Sequence, residues 1–178
     1  MIQIPPGERF DELLDLAEHT AFHLETADNY RADTETDSLT AWRVDEARDP
    51  GGDWFGPWTR QVQRMTERGV AVTRARIVTI PHSTYTRYLL ALTRHNIAAG
   101  EEVRYLPRNQ ADPEDAVAED FWLLDEHTLA YSLFDDRGRW TGAAATVDPR
   151  QLRAAAEVRD RVWSAAIPYQ DYLFGRSP

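Results

Sequence analysis

The sequence predicts a single α/β (α+β) domain. Its expected core is a mixed β-sheet with a central β-α-β crossover and a C-terminal antiparallel hairpin, flanked by helices. Three observations predict it. Strand-like and helix-like stretches alternate as far as residue 107, the order of a partly parallel sheet. Between residues 120 and 147, short apolar runs follow one another with only tight turns between them, as in antiparallel pairs. The chain of 178 residues is 42% hydrophobic, and its six Trp, seven Tyr and six Phe suffice for one core but hardly for two.

The elements follow in order. ERFDELLDLAEH (8–19) places Phe10, Leu13, Leu14 and Ala17 at helical spacing, with acidic residues early, where the helix dipole favours them. AFHLET (21–26) alternates Phe22 and Leu24 with polar neighbours, a strand pattern. Residues 28–56 are polar and irregular, with a weak helix over 38–47, and the breaker cluster at 49–57 reads as a loop. Pro57 suits the first turn of a helix running to Gly69, with Val62 and Met65 inward. VAVTRARIVTI (70–80) is β-branched and predicts a strand that Pro81 ends. Ser83 is an N-cap for a helix over 84–98, with Tyr85, Tyr88, Leu89, Leu92 and Asn96 on one face and Gly100 at its end. EEVRYLP (101–107) is the next strand, so 71–107 forms the crossover. Residues 108–119 are an acidic loop. DFWLLD and TLAYSLFD give two strands, and DDRG a turn with Gly138 at a positive φ. RWTGAAATV completes the hairpin. Asp148-Pro149 pairs an N-cap with Pro at the first helical position and opens a helix of 17 residues, followed by an aromatic tail, IPYQDYLF.

Composition excludes several chemistries. There is no cysteine, which removes disulfides, zinc–thiolate sites, iron–sulfur clusters and thiol nucleophiles. All 20 cationic side chains are arginine, which removes Schiff-base lysines and lysine-bearing phosphate loops. No G-x-S-x-G elbow is present. His19, His23 and His127 have no mutual metal-ligand spacing, so no metal and no cofactor are expected. MIQIPPGERF lacks a basic region followed by an apolar run, and no apolar stretch approaches the roughly 18 residues of a membrane span. The expectation is a cytoplasmic protein without membrane association.

Charge is distributed unevenly. Residues 1–57 hold four Arg against fourteen acidic residues, residues 58–108 nine against three, and residues 109–178 seven against thirteen, within a net charge of -10. The basic middle either pairs with the acidic ends inside one fold or forms an anion site. Arg74 and Arg76 are two apart on a strand and share a face. With Arg104 on the next strand they would present three guanidinium forks to a phosphate or carboxylate. Otherwise they form a salt-bridged row. Arg87, with Tyr85 and Tyr88 near it, joins charge to ring faces, and Arg108 lies at the crossover's end. Tyr85 and Tyr88 equally suit the core. His82, between Pro81 and a helix N-terminus, is a candidate acid or base with Asp120 as its orienter. The carboxylates around Asp115, Glu119 and Asp120 otherwise form a solvated loop.

TAFHLETADNY, RARIV, PHSTYTRYLL, NIAAGEEVRYLPR, DFWLLDEHTLAYSLFDDRGRWTGA and AAIPYQDY together resemble an actinobacterial family of small proteins, the domain of unknown function numbered six-eight-seven-nine, over roughly residues 8–172. That resemblance implies a helix-turn-helix transcriptional regulator as partner and no particular activity. Residues 71–145 are also similar in element order to half of a phospholipase-D-like domain, whose His-x-Lys chemistry a lysine-free chain lacks.

The expected function is a non-catalytic binding or regulatory protein that recognises a small anionic ligand or an acidic partner segment. The ligand residues are Arg74, Arg76, Tyr85, Arg87, Arg104 and Arg108. The alternative is an enzyme on a phosphate- or carboxylate-bearing small molecule, with His82 and Asp120 catalytic. A third alternative is a nucleic-acid-binding protein, which the net negative charge disfavours.

Overall fold

The computed structural model describes residues 1–30 and 35–175. In chain order the elements are β1 (Ile2–Ile4), α1 (Glu8–Asp15), β2 (Thr20–Glu25), α2 (Thr36–Val44), α3 (Gly56–Glu67), β3 (Ala71–Val78), α4 (Thr84–Ala99), β4 (Glu102–Pro107), β5 (Phe121–Leu124), β6 (Thr128–Phe134), β7 (Trp140–Thr146), α5 (Pro149–Ala165), β8 (Ile167–Pro168) and α6 (Tyr169–Leu173). The described strands form one mixed sheet in the order β1-β7-β6-β5-β2-β3-β4-β8. β2, β3 and β4 are parallel, and the other pairings are antiparallel.

Period-two alternation sorts the side chains onto two faces. One face carries Phe22, Leu24, Ala75, Ile77, Leu106, Phe121 and Leu123, and α5 covers it through Leu152, Ala155 and Val162, with Ala111 and Ala118 of the loop after β4 beside it. On the other face α1 and α3 pack Phe10, Leu14, Val62 and Met65 onto Ala21, Val72 and Trp122. Beside them α2 and α4 pack Trp42 against Tyr85 and Tyr88. α6 closes that side by setting Tyr169 and Tyr172 against Tyr105. Among the described residues no helix is long and apolar enough to cross a membrane.

The caps behave as their chemistry dictates. The Ser83 hydroxyl accepts from the Thr86 N–H at 3.0 Å, and Gly100 ends α4 at φ 115°. Asp148 accepts from the Arg150 N–H at 2.8 Å, ahead of Pro149. The β3-α4-β4 crossover is parallel, as expected.

The differences have local causes. α1 stops at Asp15, short of the expected 19. The Asp125 carboxylate takes the N–H groups of Glu18, His19 and Thr20 at 2.7, 2.9 and 2.7 Å and turns the chain into β2. The weak helix expected over 38–47 is present as α2, the expected loop at 49–57 holds a 3-10 turn at Asp53–Phe55, and residues 31–34 lie outside the described residues. The loop over 108–119 holds two further 3-10 turns. Beyond the hairpin β6–β7, β1 pairs with β7 and forms that edge of the sheet. The phospholipase-D-like expectation is not supported. β2, which precedes residues 71–145, stands between β5 and β3, so that span forms no continuous half-sheet.

Candidate functional site

Strand register assembles the site. Parallel pairing sets His23 beside Arg74 and Glu25 beside Arg76, and antiparallel pairing sets His23 beside Trp122. Tyr105 of β4 pairs with Arg76 from the other side. All share the face beneath α3 and α4. α4 contributes Thr93 and Asn96, both buried, and Glu101 follows the Gly100 turn with 3% of its surface exposed.

Two arginines and two glutamates form a closed network. Arg74 donates through Nε to Glu101 at 2.8 Å and through Nη1 to Glu25. Arg76 donates through Nε to the second Glu25 oxygen at 2.5 Å, and through Nη1 to Thr93 Oγ1 at 2.7 Å and Tyr105 Oη at 2.8 Å. Glu101 accepts further from Trp58 Nε1 at 2.5 Å and Asn96 Nδ2 at 2.6 Å. The Arg74 guanidinium lies over the rings of Trp58 and Trp122, at 5.5 and 5.7 Å. Burial alone would raise the pKa of Glu25. The charges of Arg76 and Arg74 outweigh it and hold the carboxyl well below the usual range. Burial, then Arg74, pushes His23 far down, so its imidazole is neutral. It stacks on Trp122 at 4.3 Å between centroids.

A cavity of about 360 Å³ opens on this network, a size usual for small-ligand sites. Its aromatic walls include Tyr30, Trp58, Tyr85 and Trp122, and two further carboxyls, Glu35 and Asp120, face it. Asp120 accepts from the Thr26 N–H at 2.8 Å, from Thr26 Oγ1 at 2.9 Å and from Tyr30 Oη. Glu35 accepts from Tyr85 Oη at 2.7 Å. Neither carboxyl has a cationic partner among the described residues. Burial pushes Asp120 up to about 6, against the lowering effect of its Tyr30 and Thr26 hydrogen bonds, and burial raises Glu35 as well. Among the described residues, Asn96 Oδ1 at the cavity wall has no hydrogen-bond partner, and buried His23 Nδ1 has only the Glu25 carboxylate near it, 3.5 Å away. The Asn96 orientation follows from Glu101, since only its amide nitrogen can donate to that carboxylate.

Of the residues expected from the sequence, Arg74, Arg76, Tyr85 and Asp120 line the cavity, and His82, Arg87, Arg104 and Arg108 do not. The expected convergence of Arg104 with Arg74 and Arg76 does not form. Register sets Ala75 opposite Arg104, so Arg104 emerges on the α5 face, over Trp163 at 4.1 Å and bonded to Glu102 at 2.7 Å. Arg87 is exposed and paired with Glu46 at 2.8 Å. Arg108 ties strand ends together by donating to the carbonyls of Thr26, Ile77 and Ala116. His82 and Asp120 do not pair. The His82 ring is engaged by Thr79 O and Tyr172 Oη, both at 3.0 Å, and both Asp120 oxygens are taken by Thr26 and Tyr30. Among the described residues, no group of three or more His, Cys, Asp or Glu has a metal-holding arrangement.

Sequence reasoning missed Glu25, Glu101, Glu35, Tyr30, Trp58 and Trp122. One signal was available for Glu25, which continues the Ala21–His23 alternation and must therefore share their face.

Residues 8–174 match the family model described as a domain of unknown function, DUF6879. No curated protein matches the chain. Among solved structures, the chain is similar to TrmBL2, an archaeal chromatin protein whose structure shows a novel mode of DNA binding. The identity is 13% and the TM-score 0.48, over 88% of this chain and 48% of that one. The chain thus spans about half the length of that protein.

Proposed function

The chain belongs to the DUF6879 family of domains of unknown function, and from that premise we propose that it is a binding protein for a small planar ligand that donates hydrogen bonds. The observation that carries this reading is the aromatic cavity with two carboxyls, Glu35 and Asp120, that have no cationic partner among the described residues. Ring walls hold a planar group, and the carboxyls and Asn96 Oδ1 accept its N–H donors. A neutral or cationic head fits best. An anion placed on Arg74 or Arg76 must compete with Glu25 and Glu101, which already satisfy both guanidinium groups. The helix-turn-helix regulator implied by the family resemblance enters this reading as the partner that senses the occupied cavity, in the cytoplasm.

Calorimetric titration with planar amines and nucleosides tests the proposal. Saturable binding that weakens at least several-fold in Trp122→Ala and Glu35→Gln is expected. No saturable binding by any planar donor, or binding indifferent to both changes, sinks it.

An enzyme reading keeps one observation, the Asp120 carboxyl raised to about 6 beside a cavity. It loses the His82 half of the expected pair. Turnover of a bound ligand that Asp120→Asn abolishes while binding persists would establish it.

A further inference from the structure

A second cavity, of about 620 Å³, adjoins the first and shares Tyr30, Glu35 and Tyr85 with it. Its character is opposite. Arg43, at the C-terminal end of α2, and Arg137 and Arg139, in the β6–β7 turn, line it, and Glu35 is its one carboxylate among the described lining residues. Arg139 is partly committed to Asp135 at 2.8 Å. Arg43 and Arg137 are exposed at this wall, and neither side chain has an acidic partner among the described residues. The first cavity thus accepts donors between rings, and the second offers guanidinium forks, which suit a phosphate or carboxylate.

We propose that the two cavities hold one bipartite ligand of the nucleotide class, its base in the aromatic cavity and its phosphate among Arg43, Arg137 and Arg139. This rests on the reading of the first cavity as a site for a planar donor. It also moves anion recognition away from Arg74 and Arg76, whose charges are consumed. The shared Tyr30, Glu35 and Tyr85 form the waist between the two parts, where a sugar hydroxyl meets the Glu35 carboxylate. A base with adjacent N–H donors, as guanine has, suits Asp120 and Asn96 Oδ1 better than adenine, whose ring edge carries one donor group and an acceptor.

The experiment is calorimetry on the full chain with four probes: guanosine, guanosine 5′-monophosphate, adenosine and adenosine 5′-monophosphate. The guanine compounds are expected to bind more tightly than the adenine ones. The 5′-phosphate is expected to improve affinity roughly ten-fold or more, the effect of one or two charge-assisted hydrogen bonds. Arg43→Ala combined with Arg137→Ala is expected to abolish that gain and leave nucleoside affinity unchanged. Both positions are exposed, so the fold survives, which a far-ultraviolet spectrum verifies. Equal affinity of nucleoside and nucleotide, or a phosphate gain that survives the double change, overturns the inference and leaves the planar-donor reading standing. If no nucleoside or nucleotide binds but an aromatic amine does, the inference is again overturned and the first reading survives. If nothing planar binds, both fall.

Discussion

Glu25 decides the charge balance of the interior. Its two oxygens face two guanidinium groups, and its removal leaves Arg76 with hydroxyl partners only. Glu25→Gln is expected to cost about 3–5 kcal/mol, the usual consequence of leaving one member of a buried pair alone. Urea unfolding measures it, and a cost below about 1 kcal/mol contradicts the network. Asp120 works in the opposite sense. Its folded pKa of about 6 lies above the ordinary 3.8, so the folded state holds the proton more tightly. Its contribution is complete below about pH 4 and is lost as pH rises through 6. Glu25, with a depressed pKa, contributes above its ordinary 4.5 and loses that on acidification. Asp120→Asn is therefore expected to gain on the wild type by about 1.4 kcal/mol between pH 5 and pH 8. Parallel unfolding curves at both pH values for the two proteins would refute this. The shared face of Arg74 and Arg76 was legible from their two-residue spacing. Their partner was not, because Glu25 is 49 residues from Arg74 and only strand register joins them.

At the scale of elements, the sequence declared what local chemistry controls. Ser83, Gly100 and Asp148 mark helix ends through contacts within a few residues. What it hid depends on distant groups. α1 ends where Asp125 captures backbone donors, and β1 and β8 are too short to show alternation. Gly142 of β7 makes room for one of these, β1. It has φ 124° and no Cβ, and a methyl there would stand 2.2 Å from Ile4 O. Gly142→Ala is expected to strip β1 from β7 and cost about 1–3 kcal/mol. Faster amide exchange along β7 with an unchanged centre of the sheet is the signature. Unaltered exchange would mean that β1 adjusts.

For the whole molecule, the basic middle of the chain is answered from within. Glu25 reaches Arg74 and Arg76, Asp15 reaches Arg64 and Arg68, Glu46 reaches Arg87 and Asp49 reaches Arg94. These pairs differ in depth, so salt separates them. Exposed pairs are screened and contribute little each, while the pair under α4 is shielded from ions. Raising sodium chloride from 0.1 to 1 M is expected to change stability by no more than about 1–2 kcal/mol. The cost of Glu25→Gln is expected to stay the same at both concentrations, as paired unfolding curves would show. A cost that salt erases would place Glu25 at the surface. The single domain and mixed sheet were legible in the sequence because element order and apolar period suffice for them. The cavity was not, since its walls come from β2, β3, α3, α4, β5, β6 and the stretch after β2, and no local pattern records their meeting.

Trp58 and Trp122 stand 5.7 Å apart at 59°, with the Arg74 guanidinium over both rings. Indoles this close and this oblique share their electronic transitions, so they absorb circularly polarised light as a coupled pair. The pair's dichroic couplet depends on the angle between the rings, and both rings line the cavity. Filling the cavity thus writes itself into the protein's own optical activity, with no label attached.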